Sequence, residues 1–154
     1  MRSARGLANH SLYVARLLLD AWHQQTQASS TEPRMLSAAF APAVRLHLLD
    51  AYGWFLLALL RVPALPDHAP QRIADLPAIK SGIAEPPEIN EFRELEQTGW
   101  LHELLAPPVR GVGQISHRQR LASTADRPQI HQYGEWHGEL TSLFTRMSVS
   151  LDEC

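Results

Sequence analysis

The stretch from Leu36 to Arg61 constrains this chain more than any other, because it is the most apolar part of the sequence. Leu36, Phe40, Val44, His47, Ala51, Trp54 and Ala58 recur at spacings of three and four, a stripe of helical period. From Leu48 onward, Leu49, Leu56, Leu57, Leu59 and Leu60 make the other faces apolar as well. A helix that is greasy all round needs neighbours on most sides. Its place is therefore the centre of a helical bundle or the seam of a dimer. The remaining sequence is read around that element.

At 154 residues, 45% of them hydrophobic and 19% charged, the chain has the size and composition of one globular domain spanning 1–154. A formal charge of −2 removes the usual electrostatic case for binding nucleic acid or an anionic membrane. The one cysteine, Cys154, excludes an intramolecular disulfide and a thiolate zinc cage, and it suits a reducing cytoplasm. Arg2 and Arg5 precede apolar residues, as in a signal peptide. His10, Arg16 and Asp20 interrupt that run, however, and no small-residue cleavage site follows. Leu48 to Leu60 is too short to span a bilayer and contains Asp50, so no transmembrane segment is expected.

A first helix over 5–26 places Leu7, Val14, Leu18 and Ala21 on one side, flanked by His10 and Leu17. Gln24 to Glu32 is polar and aperiodic, and reads as the connection to the second helix. Pro42 conflicts with that second helix. Leu36 and Phe40 keep phase with Val44 and His47, which favours a continuous helix kinked at Pro42 over one starting near Ala41. Three prolines between Val62 and Pro70 end it. Gln71 to Ile79 suggests a short extra helix, and Lys80 to Pro87 a loop. Glu88 to Leu105 is helical, with a break at Gly99 and Thr98 capping a final turn. Residues 106–128 read as a long connection with one turn around His117 to Ala122. The last helix carries Tyr133, Trp136 or His137, Leu140, Leu143, Phe144, Met147 and Leu151 on one seam, with Glu135, Glu139, Ser142 and Arg146 opposite. Each long helix holds one tryptophan, Trp22, Trp54, Trp100 or Trp136, of a kind that fills core. The expected architecture is all-α: an up-and-down bundle of four main helices plus a short extra helix.

The signatures of chemistry are missing from this pattern. Glu-x-x-His, His-Glu-x-x-His, a phosphate-binding glycine loop and a nucleophile elbow do not occur, so no catalytic, metal or cofactor-binding residue is assigned. Asp20-x-x-His23, His47-x-x-Asp50 and His131-x-x-x-Glu135 are single pairs, and local hydrogen bonds or solvent satisfy such histidines. One candidate polar cluster stands out: Arg16, Asp20, His47 and Asp50. His47 lies at the centre of the apolar stripe and Asp50 at its edge, and a buried charge requires a partner. In an antiparallel hairpin, Arg16 can pair with Asp50 and fix the register, or pair with Asp20 one turn along its own helix and face solvent. Charge is also uneven. Glu85 to Glu103 holds six acids and Arg110 to Arg127 four arginines, which are either a solvated or mutually docked pair of segments or a docking face for a charged partner.

Three stretches, Asn9 to Ala21, Leu46 to Leu60, and Leu95-Glu96 with Trp100-Leu101 and Leu104-Leu105, resemble an uncharacterised family of small helical proteins from gammaproteobacteria. Together they cover about a third of the chain. The resemblance implies a helical, cytosolic bacterial protein and carries no activity, cofactor or site residue with it. Separately, Arg5 and His10 match the arginine–histidine spacing of the small helical ribonucleases called HEPN domains, which carry theirs late in the chain. The function expected is a non-enzymatic helical module that binds a protein partner or itself as a homodimer. The alternatives are a hydrolase or HEPN-like ribonuclease using a histidine-bearing cleft, and peripheral membrane association through the second helix.

Overall fold

The computed structural model describes residues 2–28, 30–107 and 129–153. Its elements are α1 (Ala4–Ala28), α2 (Pro33–Leu59), a 3₁₀ turn (Ile73–Asp75), α3 (Pro87–Thr98), α4 (Trp100–Leu105) and α5 (Ile130–Asp152). The expected all-α helical bundle is the observed one. Side-chain contacts set the helix directions. Trp22 of α1 stacks on Phe40 of α2 at 6.0 Å, close to the short link between them, so these two helices are antiparallel. Tyr52 meets Phe92, and Arg45 reaches the carbonyl of Leu104, so α3 and α4 run back along α2. Phe55 stacks on Phe144 at 4.0 Å and Arg61 reaches the carbonyl of Leu151, so α5 runs parallel to α2. The order is up, down, up, down.

Pro33 opens α2 at a position where its missing N–H is not needed. The helix then continues through Pro42. Proline there cannot donate to Ala38, but both residues are exposed, so water can take the orphaned carbonyl. At the far end Arg61 adopts φ +52°, in the left-handed region usually given to glycine. The chain closes the helix there with bonds from Arg61 to Ala58 and from Val62 to Leu57, and the Arg61 side chain is anchored on Leu151.

Three expectations about helix faces and ends need correction. The face that α1 buries is not the Leu7–Val14–Leu18 side. Ala4, Ala8, Ser11, Leu12, Ala15 and Trp22 are buried, whereas Leu7, Val14 and Leu18 are half-covered and Leu17 is exposed. Small side chains at 4, 8, 11 and 15 let α1 lie close along α2, which rotates its larger leucines to the margin. The short helix over 71–79 is only the turn Ile73–Asp75, because Pro70 and Pro77 bracket it and Leu76 is extended. The break at Gly99 is present, but Thr98 does not cap α4. Its hydroxyl bonds back to Glu94, and Gly99 starts the new helix with no side-chain cap. A Cβ at Gly99 would fall 2.8 Å from Leu95 Cδ2, so any larger residue there must push that leucine side chain aside. The last helix matches its reading, with Tyr133, Trp136, Leu140, Leu143, Phe144 and Met147 all buried. The expected turn around 117–122 and the arginine-rich segment fall outside the described residues.

Around Phe55 the core is aromatic. Phe55 stacks on Phe144 and meets Phe92 edge-on, while Tyr52 contacts the same Phe92 at 5.2 Å. Three of the tryptophans are buried, and Trp100 packs half-buried against the core. The remaining side of α2 is closed by the proline-rich segment after it, which crosses at Gly53. A Cβ there would lie 1.8 Å from the carbonyl oxygen of Pro70 and 3.1 Å from Ala69 Cβ. Replacing Gly53 by Ala must push that segment off the helix. A denaturant titration should show a loss of about 1–3 kcal/mol at least, and an unchanged midpoint would mean the crossing contributes nothing to stability.

Candidate functional site

The anticipated polar cluster divides in two. Ten residues along each helix from the Trp22–Phe40 contact, Asp50 comes level with Leu12, a full turn from Arg16. Arg16 and Asp20 are exposed and turn toward α5, where their charges act on His137. His47 and Asp50 are half-buried, and the charges acting on Asp50 are those of His47 and His68 instead. Neither the Arg16–Asp50 pair nor the Arg16–Asp20 pair forms. The ion pairs among the described residues are Arg5–Asp152, Arg93–Glu85 and Arg146–Glu91, all at the surface, where such pairs contribute little. Burial pushes the Asp50 carboxyl above its ordinary range, against the opposing pull of His47 and His68.

Three polar contacts that the sequence did not reveal hold the bundle together. The Tyr52 hydroxyl, at the core end of α2, donates to Glu96 Oε1 at 2.6 Å. The same oxygen accepts the backbone N–H of Ile73 at 2.9 Å. One carboxylate of α3 thus ties α2 to the 3₁₀ turn. Burial, then the Glu96 bond and charge, push the Tyr52 phenol far upward, so it stays a donor. Arg45 donates to the carbonyls of Leu104, Leu105 and Ala106, capping the C-terminal end of α4 with a cation. His137 of α5 sits 3.0 Å from the carbonyl of Leu12, so Nε2 carries the proton and donates. The signal for Tyr52 was present, since a phenol inside an apolar run needs a partner. The partner's identity was not.

The histidine and arginine of the HEPN-like spacing do not converge. Five residues on a helix separate two side chains by about 140°. Arg5 is held at 2.7 Å by Asp152, while His10 is exposed. An open groove of about 420 Å³ lies between the end of α2 and the segment after it, walled by Leu57, Val62, Leu65 and Pro70. Its polar groups are His68 and Asp75, and Asp75 already accepts the N–H of Gln71. Among the described residues no group of three or more His, Cys, Asp or Glu side chains could hold a metal ion. Among the described residues no helix is long and apolar enough to cross a membrane.

The most distinctive exposed surface is apolar and lies on α1 and α2. Tyr13 is 60% exposed, Leu17 49%, Leu46 53% and Met35 61%. Five residues back from Trp22 along α1 and six forward from Phe40 along α2, Leu17 and Leu46 come level. Tyr13 sits one turn from Leu17, and Pro42 and Met35 extend the α2 side. The buried alanines of α1 turn these residues outward, so they share one face of the hairpin.

His137 offers a measurement of how α1 and α5 are joined. Burial lowers the ring below its ordinary value, more than the Leu12 bond raises it; the charge of Arg16 lowers it and that of Asp20 raises it. The unfolded chain therefore takes the proton first. The ring's contribution is whole above the ordinary histidine range near ~6.5 and is lost as pH falls through it. His137→Gln keeps a donor but cannot titrate, so it should lose less stability than the parent between pH 7 and pH 5. Parallel curves would show that protonation of this ring does not weaken the α1–α5 contact. Comparisons of the chain with protein-family models, with curated proteins and with solved structures find no match.

Proposed function

We propose that this chain is a non-enzymatic, cytoplasmic helical module that binds a protein through the outer face of the α1–α2 hairpin. The observation that carries this reading is the clustering of Tyr13, Leu17, Leu46 and Met35 on that face, each about half exposed or more. Scattered surface leucines are ordinary, but a contiguous apolar patch on two adjacent helices is the usual mark of an interface. The polar groups brought together inside the bundle support the same reading. Tyr52, Glu96, Arg45 and His137 are each committed to a structural partner.

A photo-reactive phenylalanine analogue placed at Leu46 and irradiated in living cells tests the surface. A discrete cross-linked product of higher mass is expected from Leu46, and none from the same analogue at Ser142, which is exposed on α5. Equal labelling at both positions, or none at either, would remove the proposal.

A further inference from the structure

Leu46, Asp50, Gly53 and Leu57 follow one another at spacings of four, three and four, so they form a single row along the outer side of α2. The proline-rich segment covers the far part of that row, crossing at Gly53 and walling the groove beside Leu57. Asp50 stands one turn before the crossing, where the cover ends. It is half-buried, and among the described residues it forms no hydrogen bond or ion pair. A carboxylate so placed calls for a counter-charge. The crossing segment carries one toward it: His68, two residues before Pro70, acts on Asp50 through its charge. That segment is otherwise held by packing. Its residues 63–70 make no hydrogen bond among the described residues, since the bonds stop at Val62 and resume at Gln71. Three of the eight are prolines with no N–H to donate, while Leu65 and Ala69 rest against the core.

We propose that residues 63–70 form a pH-dependent strap: protonated His68 draws onto Asp50 and holds the segment against α2, whereas neutral His68 leaves it free to lift. Lifting uncovers Gly53 and Leu57 and so extends the exposed apolar row that begins at Leu46. The direction follows from which group is charged. Histidine gains its charge between about pH 8 and pH 5, and Asp50 is still a carboxylate over the upper part of that span. Burial pushes the Asp50 carboxyl upward, so in stronger acid it takes a proton and gives up the hold again. The other groups around the pair are few. On α2 itself His47 lies one turn before Asp50 and also acts on it. On α1 the level of Asp50 is that of Leu12, and the titratable side chains of that stretch, His10 and Tyr13, are exposed. Beside His68 stand Asp67 in the strap and Asp75 across the groove, with Arg72 at the start of the 3₁₀ turn. The two carboxylates favour a charged His68, but neither belongs to α2, so neither can fasten the strap to that helix.

A fluorine tag attached through Ala64→Cys, in a Cys154→Ser background, reads the strap directly, because Ala64 is exposed and lines the groove. The fluorine resonance of the full chain should move between about pH 8 and pH 5.5. The lifted fraction should fall about threefold or more toward the acid end, the yield of one part-exposed ion pair. Asp50→Asn and His68→Gln should each hold the resonance near its alkaline position throughout. His47→Gln and Asp75→Asn should leave the movement in place. Circular dichroism at both ends of the range checks that each variant stays helical; His68 is exposed and Asn has the shape of Asp, so both key variants keep the bundle. A resonance that does not move overturns the inference. So does one that moves equally in Asp50→Asn or in His68→Gln. Movement that is lost in His47→Gln but kept in His68→Gln overturns it as well, because the titrating partner of Asp50 then lies within α2 and not on the strap.

Discussion

From Ala51 to Leu57 seven consecutive residues of α2 are buried, and a helix can only lose water on every side if something lies on every side. The rest of the chain is arranged to meet that demand. α1 presents alanines along one flank, α5 presents Phe144 to Phe55, α3 presents Phe92 edge-on to both Tyr52 and Phe55, and the proline-rich segment crosses over Gly53. Each neighbour differs in side-chain size because the gap it fills differs. Gly53 is the limiting case, where the neighbour is backbone and no Cβ fits. The prolines after the helix therefore do more than end it. They stiffen a strap that would otherwise lose conformational entropy on lying down.

A fully buried helix segment leaves no outlet for a polar atom, which makes Tyr52 the point where packing and hydrogen bonding must agree. Its phenol is satisfied by Glu96, and Glu96 is held in turn by the N–H of Ile73. The carboxylate thus serves both a core side chain and an orphan backbone donor of a turn too short to satisfy itself. Removing Glu96 would leave two donors unpaired at once, whereas exposed pairs such as Arg146–Glu91 can be lost at little cost. The polar contacts that matter to this bundle are few and sit at the ends or edges of its core.

Periodicity made the helices and the central place of α2 legible, since apolar spacing reports directly on burial. The last helix could be read residue by residue for the same reason. Register and partner choice were harder. The level of the hairpin was inferred nearly correctly, with His47 near Ala15, but Arg16 and Asp50 are a turn apart and on different sides, so proximity in a flat projection did not become a contact. The buried face of α1 was misjudged because leucine outweighs alanine on any hydrophobicity count, while close helix approach selects the alanines. Glu96 and Arg45 were invisible. Each bonds to atoms more than twenty positions away, and four of those are backbone groups of a kind that every residue carries.

The same misjudgement explains an apolar surface that the bundle leaves uncovered among the described residues. Because small residues hold α1 against α2, the larger Tyr13 and Leu17 point away from the core, and they do so beside Leu46. The C-terminal half of α2 has an equivalent outer face, reaching Leu57, and there the proline-rich segment covers it. The N-terminal half presents Met35, Pro42 and Leu46 with no comparable cover from the described residues. Stability alone gives no reason to keep apolar side chains there, since polar residues at exposed helical positions would serve the fold equally well. One helix thus shows both outcomes of an apolar surface: one half is buried by its own chain, and the other keeps its apolar side chains in solvent with no comparable cover from the described residues.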